Sequence, residues 1–141
     1  MNAPLYTTEI LRLAASLPEP VALDRVDGSA EDRSPTCGST VWVEVQLDEE
    51  GRVARVSQQV QACAFGQASA SLLAASASGR SRDDVLQAVN DLSGWLEGTR
   101  DDPGQWEGLA ALAPARTRRS RHGAILLPFR ALASAMKSAA G

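Results

Sequence analysis

Ser34-Pro35-Thr36-Cys37-Gly38-Ser39 and, one alternating apolar run later, Gln61-Ala62-Cys63-Ala64-Phe65-Gly66-Gln67-Ala68-Ser69 hold the only two cysteines of the chain. Between them Val41, Val43, Val45 and Leu47 alternate with Trp42, Glu44, Gln46 and Asp48, the period of a half-buried strand. Asp48-Glu49-Glu50-Gly51 supplies a turn, and Gly51 is free to take the positive φ that a short hairpin demands. A hairpin brings its two ends together, so the cysteine segments are expected side by side at the open end of a sheet. Two thiolates placed there can bind metal or carry sulfur.

Outward from this centre the pattern is uneven. Arg52 to Ala62 returns as a strand, but Val53 and Gln58 break its parity, which predicts a bulge or second bend near Ser57 to Gln59 and three strands from two runs. Residues 21–35, rich in Asp, Ser and Gly, read as a mobile loop that delivers Cys37. Ile10, Leu13, Ala14 and Leu17 mark a first helix from Thr8 to Leu17, ended by Pro18 and Pro20. After Cys63 the period becomes helical, with Phe65, Ala68, Leu72 and Ala75 on one face, so Cys63 falls at a strand-to-helix junction. A helix N-terminus of this kind favours anionic ligands.

Further along, Ser81-Arg82-Asp83-Asp84 reads as a capping box opening a helix buried through Val85, Val89, Leu92 and Leu96, and Gly98 stops it. Trp106 to Leu112 is a short apolar element, and Pro114 to Ser120 a basic connection. The last helix is expected to start between His122 and Leu127 and to reach about Met136, with Pro128 constraining its opening turn.

At 141 residues the chain is expected to form one domain, 1–141, with a core of small and aliphatic side chains, since aromatics make up only 4% of it. A net charge of −3 argues against a nucleic-acid partner. No apolar run reaches a membrane span and Met1-Asn2-Ala3-Pro4 is no signal peptide, so a soluble, cytoplasmic protein without membrane association is expected. Arg116, Arg118, Arg119 and Arg121 form either a solvated connection or a docking patch for an acidic partner.

Two thiolates do not close a zinc site or hold a cluster, because both normally need four ligands. His122, the one histidine, is the candidate third ligand beside Cys37 and Cys63; the alternative is a homodimer that pools four thiolates. No nucleophile with its own base and no phosphate-binding glycine loop is evident, so an enzyme is not expected.

Ser-Pro-Thr-Cys-Gly at 34–38, the hairpin length, Cys63 followed by Ala-Phe-Gly-Gln-Ala-Ser, and an amphipathic helix after Pro114-Ala115-Arg116 together resemble the U-type iron-sulfur cluster assembly scaffolds: IscU, SufU and the N-terminal domain of NifU. The resemblance implies an α+β fold, a three-stranded antiparallel sheet with helices packed on one face. It also implies a metal or cluster site at one end and a cysteine desulfurase as partner. IscU-like members assemble an iron-sulfur cluster and SufU-like ones bind zinc and relay sulfur. The family's first two cysteines map onto Cys37 and Cys63; Ser39 stands where the family has an aspartate, and Ala124 where it has a third cysteine. The family's histidine would fall on Gly123, one residue from His122.

Three readings follow. The chain is a scaffold binding iron, zinc or a cluster through Cys37 and Cys63, with His122 or a second protein completing the shell. Alternatively it is a metal-free interaction protein that modulates a desulfurase or a true scaffold. The third reading is a persulfide relay with Cys63 as sulfur acceptor and Cys37 resolving it.

Overall fold

The computed structural model describes residues 6–35 and 38–140. Three antiparallel strands, β1 (Gly28–Arg33), β2 (Thr40–Leu47) and β3 (Val53–Gln61), form one sheet in sequence order. Four helices accompany it: α1 (Thr8–Ala15), α2 (Ala64–Ser76), α3 (Arg82–Glu97) and α4 (Arg119–Ala140), with a 3-10 segment at Leu109–Thr117 before the last. This is the expected α+β architecture, and Val41, Val43 and Val45 point into the helical layer as their alternation requires.

The third strand is not where the sequence pattern put it. Gly28–Arg33, read above as loop, is an edge strand paired with β2 from Gly28 opposite Val45 to Arg33 opposite Thr40. Its polar composition suits an edge, where Glu31 and Arg33 face solvent and bond each other. Its inward side is small because α4 crosses there: a β-carbon at Gly28 would collide with the Ala135 carbonyl oxygen. The strand is pinned at its start, where Asp27 donates its N–H to the Val45 carbonyl (2.8 Å) and accepts from the Leu47 N–H (2.7 Å).

β3, conversely, runs unbroken, and the register irregularity falls at Gln46 and Leu47 instead. The irregular pattern around Ser57 and Gln58 reflects two buried polar side chains on opposite faces, of which Gln58 keeps its Oε1 buried without a hydrogen-bond partner. Ser57 lies on the outer face, where its hydroxyl accepts from the Val21 N–H (2.9 Å) as the segment after α1 crosses the sheet. Gln58 faces inward and donates its amide to the Ala70 carbonyl of α2 (3.0 Å).

The capping box of α3 forms as expected, with Ser81 and Asp84 each bonding the other's backbone and Gly98 left-handed at the C-terminus. In α2 the buried set is Phe65, Ala68, Leu72 and their small neighbours, while Ala75 is exposed. α4 begins earlier than expected and continues through Pro128. A proline removes the N–H that would meet the carbonyl four residues back, here Ala124. The helix persists because it is held on two sides, by the sheet and by α2 and α3. At the next carbonyl, Ile125, the buried Ser69 hydroxyl of α2 donates a 2.6 Å bond. Trp106 closes the far side of this layer, donating Nε1–H to the Leu72 carbonyl (2.9 Å) and meeting Phe129 edge-on at 5.0 Å.

Candidate thiol site

Because Thr40 pairs with Gln61, the β1–β2 connection and the β3–α2 junction leave the sheet at the same end. The connection is a tight loop: the Ser34 N–H donates to the Ser39 carbonyl (2.9 Å) and the Gly38 N–H to the Ser34 carbonyl (3.0 Å). Gly38 takes φ 72, a left-handed conformation that glycine adopts without penalty. Ser34 and Ser39 are each 4% exposed. Cys37 and Thr36 lie outside the described residues; their neighbours Pro35 and Gly38 belong to this loop.

Cys63 is the N-cap of α2, extended at φ −66 and ψ 173, half-buried and in no disulfide. Its thiol does not cap the helix. Its carbonyl accepts from the Gln67 N–H (3.0 Å), and the Gln67 side chain ties the first helical turn back to the Ala62 carbonyl (3.0 Å). The junction is thus fixed by hydrogen bonds that do not involve the sulfur, and the Cys63 side chain packs against the edge of the core.

The first turns of α4 complete this end. Gly123 abuts Ser34: a β-carbon there would stand 2.6 Å from Ser34 Oγ. The fully buried Ala124 abuts α2, where a β-carbon at Gly66 would stand 3.4 Å from Ala124 Cβ. Cys63, Ser39, Gly123 and Ala124, drawn from three stretches of sequence, therefore sit on segments that meet at one end of the fold. The packing role of Gly66, Gly123 and Ser34 was not anticipated from the sequence. Its only trace there is small residues where helices must approach closely.

His122 is turned elsewhere. Its Nε2 lies 2.9 Å from the Ala115 carbonyl and 3.2 Å from that of Arg116; carbonyls only accept, so Nε2 carries the hydrogen. The ring lines a groove with Glu97, Thr99 and Arg119. Among the described residues no three His, Cys, Asp or Glu side chains lie close enough to hold a metal ion. Of the basic run, Arg116 has a structural role, donating Nε–H to the Trp95 carbonyl (2.8 Å) with its guanidinium over the Trp95 ring at 5.1 Å. Arg118 and Arg119 are exposed.

On the outer face beside the loop, Glu31, Arg33, Gly38, Thr40 and Trp42 line an open hollow of about 390 Å³. No described helix is long and apolar enough to cross a membrane.

No curated protein matches the chain by sequence. Solved structures do. A nitrogen-fixing NifU-like protein (N-terminal) from Brucella abortus is 29% identical, with a TM-score of 0.88 over 96% of this chain and 94% of that one. A putative iron-sulfur cluster assembly scaffold protein for the SUF system from the thermophile Fervidobacterium islandicum AW-1 shares the fold at 17% identity, with a TM-score of 0.83 over 94% of this chain and 96% of that one. The family model for the NifU-like N terminal domain matches residues 6–99, the stretch from the first helix through both cysteine segments to the end of α3. The chain belongs to the NifU-like N-terminal domain family.

Proposed function

We propose that the protein is an iron-sulfur cluster assembly scaffold that holds iron, zinc or a nascent cluster through Cys37 and Cys63. The observation that carries this reading is the convergence of the Cys37-bearing loop, the Cys63 N-cap and the first turns of α4 at one end of the sheet. Family membership supports it, as does the SUF scaffold whose fold the chain shares. The metal and sulfide are cargo, and the protein acts by holding them, not as an enzyme.

The residues present fit such cargo only in part. Two thiolates supply half of a four-coordinate shell. Ala124 has no donor atom, and His122 presents its Nε2 hydrogen to the 3-10 segment. The remaining ligands accordingly come from a second protein: a homodimer pooling two cysteines per chain, or the cysteine desulfurase that delivers the sulfur. Anaerobic reconstitution with ferrous iron and sulfide, followed by elemental analysis, tests this. Wild type is expected to retain metal that Cys37→Ser and Cys63→Ser lose; metal content unchanged in both variants would overturn the reading.

The absence of a donor at Ala124 favours one competing reading, a metal-free interaction protein that modulates a desulfurase or a complete scaffold. In that case saturating zinc leaves the melting temperature where it is. On the scaffold reading zinc stabilises the fold by about 2–4 kcal/mol at concentrations of roughly 100 to 1,000 times its Kd.

A further inference from the structure

We propose that the corner where the 3-10 segment turns into α4 is a docking surface for an acidic segment of a partner protein, received by Arg118, Arg119 and Arg121. This holds whether or not the chain carries metal. Residues 1–102 carry sixteen acids against eight arginines, whereas from Pro103 to Gly141 five arginines and one lysine face a single acid, Glu107. Four of those five arginines, at 116, 118, 119 and 121, fall on this corner.

Elsewhere in the fold arginines are engaged by carboxylates: Arg25 by Asp27, Arg33 by Glu31, Arg52 by Glu50 and Asp84, and Arg100 by Asp91 and Asp102. None of the four at the corner is. Arg116 bonds the Trp95 carbonyl (2.8 Å) and the Arg100 carbonyl (3.2 Å) and lies over the Trp95 ring, partners that are all neutral. Among the described residues no carboxylate stands within ion-pair distance of Arg118, Arg119 or Arg121. Glu97, which shares a groove with Arg119 and His122, is exposed and outside that distance.

A merely solvated connection would leave its arginines on a loose backbone. Here the backbone is tied. The Ala115 carbonyl accepts from the Arg118 N–H (2.9 Å) and from the His122 Nε2–H (2.9 Å), the Arg118 carbonyl accepts from the Arg121 N–H (2.9 Å), and Arg116 fastens the corner to α3. Arginines on a fixed backbone lose less freedom when they are engaged, and each guanidinium presents a planar fork that matches a carboxylate.

The occupant is a carboxylate-bearing polypeptide, not a bilayer or a nucleic acid. The large hydrophobic side chains exposed among the described residues, Leu11, Val21, Val26 and Trp42, all lie outside this corner, so nothing here inserts into lipid. A nucleic acid carries a charge every 1.7 Å or so and runs beyond the patch onto a surface of predominantly acidic residues. A short acidic segment meets only the patch, since charges more than about 8 Å away are largely screened at physiological ionic strength.

The test is fluorescence anisotropy of a fluorescein-labelled octaglutamate peptide titrated with the full-length chain, with amide shifts of the isotope-labelled chain mapping the contact. Binding is expected at low ionic strength, weakening as salt rises, with the largest shifts between Arg116 and His122. Arg118→Glu with Arg119→Glu should bind about ten-fold more weakly, or more weakly still. Arg55→Glu with Arg130→Glu makes the same change of net charge at two other exposed positions, Arg130 being roughly 16 Å along α4 from Arg119, and should stay within about two-fold of wild type. No binding, shifts centred elsewhere, or equal losses in the two pairs overturns the docking surface. An oligothymidylate of equal charge, or phosphatidylglycerol vesicles, bound more tightly than the peptide and released by the Arg118 and Arg119 reversal overturns the choice of partner; weaker binding of both supports it. Where the reversed pair fails to fold, Arg118→Gln with Arg119→Gln carries the test: a loss of about three-fold supports the proposal and undiminished binding overturns it.

Discussion

Gly66 and Ala124 face each other so closely that a β-carbon at Gly66 would sit 3.3 Å from the Ala124 carbonyl oxygen, 3.4 Å from Ala124 Cβ and 2.6 Å from Ala62 Cβ. The last of these can be relieved only by moving the end of β3 away from α2. Gly66→Ala is therefore expected to destabilise the fold by about 1–3 kcal/mol despite alanine's better helix propensity. Urea unfolding checks it: the midpoint should fall with m unchanged, and a rise in the midpoint would mean the junction is looser than the structure has it.

Ala124→Cys places a third thiol where the family resemblance puts one. The position is fully buried beside the Cys63 junction, so the new sulfur enters the same end of the fold. After anaerobic reconstitution the variant should retain more iron per chain than wild type, and Cys63→Ser in the same background should remove the gain. No increase would show that this face of α4 is not part of the metal-binding surface.

Asp84 makes the stability of α3 depend on pH. Its carboxylate accepts from the Ser81 N–H, which holds its pKa below the ordinary aspartate value; partial burial opposes this, and the Ser81 side chain, Arg52 and Arg80 add to the lowering. A pKa depressed by folding means stability that is fully present above the unfolded value of about 3.9 and is lost as pH falls through the folded one. The melting temperature should decline below about pH 4 more steeply in wild type than in Asp84→Asn. At neutral pH the same variant keeps an amide oxygen that can accept from the Ser81 N–H but loses the negative charge at the helix N-terminus, a loss of about 0.3–1 kcal/mol.

Trp106→Phe keeps an aromatic ring against Phe129 but removes the Nε1–H that the Leu72 carbonyl accepts, and alters the surface over which the Arg80 guanidinium lies at 4.6 Å. Losing one buried hydrogen bond costs about 0.5–1.5 kcal/mol. Thermal unfolding followed by circular dichroism should show the decrease.

How far the sequence reveals this fold depends on which force placed each element. β2, the α3 capping box and the Cys63 junction are set by local pattern, and each stands where its residues predict. β1 was hidden because an edge strand need bury only one small-residue face; Gly28 and Ala30 give no apolar alternation. α4 was shortened because Pro128 is a local break signal that tertiary packing overrides. At the thiol site the convergence of the loop and the junction was legible from the hairpin. For His122, the candidate third ligand, nothing in the sequence signals that its Nε2 bonds the carbonyls ending the 3-10 segment, which are brought to the start of α4 by the fold.

Ser34 meets Gly123 across 89 positions of sequence, and Gly66 meets Ala124 across 58. On the ribosome, then, the loop that begins at Ser34 and the first turn of α2 are synthesised well before the helix that packs against both. Docking of residues 119–140 on β1 and α2 is thus a late event, and Ser34 and Gly66 meet their partners on α4 only after that helix has been made.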